Sequence, residues 1–234
     1  MEKGTLYGVS VGPGDPQLMT LKAVEVIQKC PVVAAPRTKE GNSLALEIAK
    51  GAVDLEGKEF LLLDFLMTKD PARLEESHSH LAGQLMAVLD RGQDVALLNL
   101  GDISVYSTFS YMQKRLEKAG YPVKMIPGVT SFCAVAAELG VSLTEMDKPL
   151  HIIPAGHQGL EESLSFPGTR VLMKTGKALP QVKAALQKAD LTRQAKLVQN
   201  CGLPNQKICL SLEELEEDVS YFTTIVIGEE EFFK

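Results

Sequence analysis

Three short stretches carry residue types that could bind or transfer a small molecule. They are Gly12-Pro13-Gly14-Asp15-Pro16, Leu100-Gly101-Asp102 and Pro127-Gly128-Val129-Thr130-Ser131. Each joins a glycine, which lets the backbone turn with positive φ or approach a ligand closely, to a carboxylate or a hydroxyl. The first is not a dinucleotide fingerprint, because its glycines fall at 8, 12 and 14, and no Gly-Lys-Ser/Thr follows to make a P-loop. Pro13 removes an N–H donor, which weakens phosphate cradling. Carbonyls and a carboxylate suit a cationic or hydroxyl-bearing ligand better. Any one stretch is explained as well by a tight turn or a helix cap. Together they suggest one composite site.

The surrounding elements place these stretches. Thr5 to Val11, Val32 to Ala35, Phe60 to Leu63, Val95 to Leu98 and Val123 to Ile126 read as strands. Helical spacing follows Thr20, with Leu21, Val24 and Ile27 expected on one face. Further helices are expected from an Asn42 or Ser43 cap to Lys50, from Leu74 to Leu89, and from Tyr111 to Ala119. This alternation argues for βαβ units and a mainly parallel sheet. The loops then fall at its carboxyl edge, where open α/β sheets bind ligands. Thr130 is read as the cap of a helix from Phe132 to Leu139. Strand candidates follow at His151 to Ile153, Arg170 to Met173, Lys196 to Val198, Lys207 to Leu210 and Thr223 to Ile227. Leu179 to Lys188 and Leu212 to Glu217 read as helical, and the acidic runs Glu213 to Asp218 and Glu229 to Glu231 as solvated faces. We expect an α/β chain of two α/β domains, residues 1–124 and 125–234.

A chain of 234 residues can bury a sizeable core. A net charge of −6 disfavours a broad nucleic-acid surface, which needs a basic footprint. No run reaches the ~18 apolar residues of a membrane span. Met1-Glu2-Lys3-Gly4 lacks the apolar stretch of a signal peptide, so a cytoplasmic location is expected. Cys30, Cys133, Cys201 and Cys209 form no CxxC pair and read as reduced thiols. His78 and His80 lie two apart and do not share a helix face, so no metal site is expected. No Ser/His/Asp or Cys/His constellation is evident, and no catalytic residue is singled out. Transfer by positioning two bound ligands is favoured over a nucleophile.

Taken in order, Gly12-Pro13-Gly14-Asp15-Pro16-Gln17-Leu18-Met19-Thr20-Leu21-Lys22-Ala23, Leu100-Gly101-Asp102 with Tyr106-Ser107-Thr108, and Ile126-Pro127-Gly128-Val129-Thr130-Ser131-Phe132 resemble the tetrapyrrole (precorrin) methyltransferase family. Within it, Pro36-Arg37 with Ser43-Leu44-Ala45-Leu46, Met67-Thr68-Lys69-Asp70, Val105-Tyr106-Ser107-Thr108 and Val171-Leu172-Met173-Lys174 are most similar to the C-20 methyltransferases of cobalamin synthesis, which act on precorrin-2 or cobalt-factor II. The resemblance implies S-adenosylmethionine (SAM) in a cleft between two α/β domains, and a homodimer. It implies SAM contacts at Pro13, Gly101, Asp102, Val105, Thr130, Ser131, Met173, Cys201 and Thr223. Arg37, Lys69 and Lys174 are candidates for the substrate carboxylates, and Tyr106 for packing on the macrocycle. Two positions depart from the family pattern. Cys201 stands where relatives resemble Asn-Gly-Thr, and Ile103 stands where Gly-Asp-Pro is usual. Rival readings are methylation at C-11 or C-17, an rRNA ribose methylase, a non-catalytic tetrapyrrole-binding module, and an NAD-dependent oxidoreductase. The last would need the G-x-G-x-x-G that is missing.

Overall fold

The computed structural model describes residues 2–38, 41–212 and 220–228. The acidic runs at 213–218 and 229–231, and most of the helix expected at 212–217, lie outside the described residues.

The chain divides into two units, Met1–Thr130 and Ser131–Lys234. The first is built on a five-stranded sheet of order β3-β2-β4-β1-β5. Its strands are β1 (Leu6–Ser10), β2 (Val32–Pro36), β3 (Glu59–Leu63), β4 (Val95–Asn99) and β5 (Val123–Ile126). All four pairings are parallel. The central strands are apolar on both faces, as a sheet covered on both sides requires. Val33, Ala35, Ala96 and Leu98 pack with residues of α1 (Leu21–Lys29) and α2 (Leu44–Lys50). Val32, Ala34, Val95 and Leu97 alternate to the other face and pack with α3 (Pro71–Leu89) and α4 (Phe109–Lys118).

Local chemistry sets the helix starts. Thr20 accepts from Ala23 N–H at 3.1 Å, Ser43 from Leu46 N–H at 3.4 Å and Asp70 from Ala72 N–H at 2.9 Å. Asp70 with Pro71 at the first helical position starts α3 three residues before the expected Leu74. Leu21 is a correction. It is 90% exposed, and the buried stripe is Ala23, Val26 and Ile27. The i, i+3, i+4 spacing that faces a core begins two residues later than the i, i+3, i+6 series suggested.

The second unit holds a mixed sheet of order β6-β7-β10-β8-β9. Its strands are β6 (Leu150–Pro154), β7 (Thr169–Met173), β8 (Ala195–Gln199), β9 (Lys207–Cys209) and β10 (Thr223–Ile227). β6 and β7 pair in parallel, and the other pairings are antiparallel. One face packs on α6 (Leu160–Leu164) and α7 (Leu179–Lys188). α5 (Ser131–Leu139) lies against β8 and β10. α6 has a single turn, too short for a 3.6-residue period to show in sequence.

The division falls at Thr130/Ser131, not at the expected 124/125. The expected boundary lies inside β5, whose pairing with β1 from Leu6↔Val123 to Val9↔Ile126 keeps it in the first unit.

Candidate active site

The loops after β1, β4 and β5 meet at the carboxyl edge of the first sheet, because β1 lies between β4 and β5. Gly12 and Gly101 exchange two backbone hydrogen bonds, Gly12 N–H to Gly101 O at 3.3 Å and Gly101 N–H to Gly12 O at 2.7 Å. Both have positive φ, +76° and +70°, which glycine adopts freely.

Asp102 ties the second loop to the third. Its Oδ2 accepts Gly128 N–H at 2.7 Å, and its Oδ1 accepts Ser104 N–H at 2.9 Å and the Ser104 hydroxyl. Burial pushes the Asp102 carboxyl up, but these hydrogen bonds outweigh it and hold the group below the usual carboxylate range. Gly128 has no room for a side chain, since a Cβ there would lie 2.4 Å from Ser10 Cβ and 2.9 Å from Gly101 O. Asp15 is spent differently, accepting Gln17 N–H at 2.8 Å as the cap of a short 3-10 turn.

Sequence reasoning missed Ser10. Its hydroxyl donates to Ile126 O and accepts from Ile103 N–H, each at 2.8 Å. The N–H that Ile103 carries where the family pattern has proline is therefore paired. The signal was present as a lone hydroxyl closing an apolar strand, but nothing local says what it bonds. Ser107, part of the Tyr106-Ser107-Thr108 motif, has a role that the sequence did not show. It accepts Phe109 N–H at 3.0 Å and donates to Asn99 Oδ1 at 2.6 Å, so it does the capping work at α4. Thr108 makes no side-chain cap bond. Val105 N–H closes a turn on Asp102 O at 3.2 Å, and Tyr106 follows with φ +50°.

The expected SAM positions therefore fall in groups. Pro13, Gly101, Asp102 and Val105 belong to loops at this edge. Thr130 closes the first unit and Ser131 opens the second. Thr130 is not a cap, because its hydroxyl oxygen is buried with no hydrogen-bond partner. Met173, Cys201 and Thr223 share one edge of the second sheet, where Thr223 pairs with Gln199 and Met173 ends β7. The Thr223 carbonyl accepts the Thr175 hydroxyl at 2.8 Å, and its own hydroxyl donates to Ser220 O at 2.7 Å. Burial pushes the Cys201 thiol up to about 11, with Glu138 adding to the effect, so it is a neutral group and no nucleophile at pH 7.

The substrate candidates separate likewise. Arg37 and Asp64 follow β2 and β3 and form a two-point ion pair, with Arg37 Nε donating to Oδ1 at 2.7 Å and Nη2 to Oδ2. Arg37 is therefore not a lone surface charge. Lys69 is exposed just before α3. Lys174 follows β7 with φ +59°, and burial pulls its ammonium below the ordinary lysine range. His78 lies elsewhere, buried and stacked on Tyr111 with ring centroids 4.4 Å apart. Among the described residues no cluster of three or more His, Cys, Asp and Glu is placed to hold a metal ion, and no helix is long and apolar enough to cross a membrane.

A probable cobalt-precorrin-2 C(20)-methyltransferase of Methanocaldococcus jannaschii is 41% identical over 171 residues, 73% of this chain and 72% of the relative. The cobalt-precorrin-2 C(20)-methyltransferase of Salmonella typhimurium is 31% identical over 234 residues, 97% of each chain. The fold matches a crystal structure of uroporphyrin-III C-methyl transferase from Thermus thermophilus complexed with S-adenyl homocysteine. Its TM-score is 0.69 at 24% identity, over 97% of this chain and 98% of that one. The family profile described as Tetrapyrrole (Corrin/Porphyrin) Methylases matches residues 5–216, and the chain belongs to that family.

Proposed function

We propose that this protein transfers the methyl group of S-adenosylmethionine to C-20 of precorrin-2 or of its cobalt-containing form, as a homodimer in the cytoplasm. The observation that carries the reading is identity of 41% and 31% with two C(20)-methyltransferases, the second over nearly the full chain. The residues present fit the cofactor. The buried Thr130 hydroxyl has a free hydrogen-bonding capacity, and a ligand with hydroxyl and amine groups would satisfy it. Backbone groups around Pro13, Gly101 and Val105 and the Asp102 carboxylate are the other holding groups at the first sheet. Ser131, Met173, Cys201 and Thr223 are those of the second unit.

Bound SAM supplies an activated methyl on a sulfonium, open to in-line attack by an electron-rich ring carbon. The chain's own part is alignment and exclusion of water. The loops are hydrogen-bonded to one another, so little ordering remains to be done at binding. Arg37, Lys69 and Lys174 offer cations to the substrate carboxylates, and Tyr106 offers a ring to the macrocycle. Asp64 holds the Arg37 guanidinium in a fixed fork beside the sheet edge. No side chain is assigned as base for the proton that the methylated carbon loses.

The test is incubation with labelled SAM and either precorrin-2 or cobalt-factor II, followed by location of the methyl. Label at C-20 is expected. Label at another carbon overturns the position while leaving a tetrapyrrole methylase. Transfer to neither substrate overturns the proposal. Light scattering at micromolar concentration reports the dimer, and a monomer mass would remove it.

A further inference from the structure

The three loops at the first sheet edge share one side chain. Ser10 is fully buried at the last position of β1. Its hydroxyl hydrogen goes to Ile126 O at the end of β5, and its oxygen takes Ile103 N–H from the loop after β4. Ile103 is itself 3% exposed, so its N–H has no water to turn to. A buried backbone donor left unpaired is costly enough to move the segment that carries it. The segment here is the residue between Asp102, which binds Gly128 N–H, and the turn at Val105. The close approach of Gly128 to Ser10 Cβ leaves little slack for compensation.

We propose that Ser10 is a positioning residue of the methyl-donor site. Its hydroxyl and the Ile103 N–H form a matched pair that sets where Gly101 and Asp102 lie. The ligand assignment rests on the proposed function; the pairing does not. Proline at 103 would delete the donor and put ring carbon where the N–H now points, against Ser10 Oγ. The two positions are therefore coupled. Loss of the hydroxyl makes room for the ring, and loss of the N–H removes the need for the hydroxyl.

The experiment measures S-adenosylhomocysteine binding by calorimetry, melting temperature, and SAM kinetics for the parent, Ser10→Ala, Ile103→Pro and the double variant. Ser10→Ala is expected to weaken binding about tenfold and to raise KM for SAM with kcat largely kept. Ile103→Pro alone should weaken binding further. The double variant should bind more tightly than Ile103→Pro and melt above the level that summed losses give. A melting loss in Ser10→Ala with binding unchanged would overturn the positioning role. Additive losses would overturn the pairing. If Ser10→Ala does not fold, recovery of folding in the double variant supports the proposal, and failure to recover overturns it. A parent protein that does not bind S-adenosylhomocysteine would overturn the functional reading instead. The melting temperatures of the four proteins would still decide the pairing.

Discussion

The two sheet edges that carry the cofactor candidates are built on different plans. At the first, besides the Gly12–Gly101 backbone pair, loops are fastened to one another by side chains across long stretches of sequence: Asp102 to Gly128, and Ser10 to Ile103 and Ile126. At the second, loops are fastened largely to the backbone entering β10. Asn200 N–H bonds Phe222 O at 2.9 Å, and the Thr175 hydroxyl bonds Thr223 O at 2.8 Å. Topology causes the difference. In the parallel sheet every strand leaves at the same edge, so the loops have only each other. In the mixed sheet β10 runs against β7 and β8, so an incoming strand lies beside the loops that leave. The first edge should therefore be fragile to single side-chain changes, and the second more tolerant.

The largest expected effect is at Gly128. Gly128→Ala places a methyl 2.4 Å from Ser10 Cβ and should cost about 3 kcal/mol in urea unfolding, as overpacking does. Asp102→Ala removes the acceptor for Gly128 and Ser104 and should cost about 2 kcal/mol, with S-adenosylhomocysteine binding weakened at least about tenfold. Thr175→Val at the second edge should cost about 1 kcal/mol and leave that binding within about twofold. A larger loss of binding at Thr175 than at Asp102 would break the contrast.

Acid should reveal the same asymmetry. The Asp102 carboxyl is held down in the folded protein. Its contribution is therefore present above the unfolded value, about 4, and is lost as pH falls through the lower folded value. Asp102→Asn should flatten the acid limb of the stability profile, while Thr175→Val should leave its shape unchanged. The smallest effect on stability is at Arg37. Its pair with Asp64 is exposed, so Arg37→Ala should leave the melting temperature unchanged while raising KM for the tetrapyrrole.

Much of the first unit was legible because its strands are largely apolar runs and helices start at side-chain caps such as Thr20 and Ser43, whereas the cap at Asp70 went unread. The three glycine stretches were legible too, since positive φ at Gly12 and Gly101 and the lack of room for a Cβ at Gly128 demand glycine. What sequence could not show is partnership across distance. Asp102 reads as a ligand carboxylate or a cap, and only the fold brings Gly128 to it. Ser10 reads as a tolerated hydroxyl in a strand. Leu21 was misplaced because a two-residue shift in helical phase exchanges core for solvent. Thr130 reads as a cap because hydroxyls before helices usually are, yet its oxygen is left without a partner.

Tyr106 and Lys174 carry a further consequence. Both hold left-handed backbone, at φ +50° and +59°, a conformation that costs a residue with a Cβ about 1 kcal/mol relative to glycine. A selection for heat resistance would be drawn to these two positions. Glycine there should yield proteins that melt higher and methylate less, so a library screened on thermal tolerance alone would erode turnover while appearing to succeed.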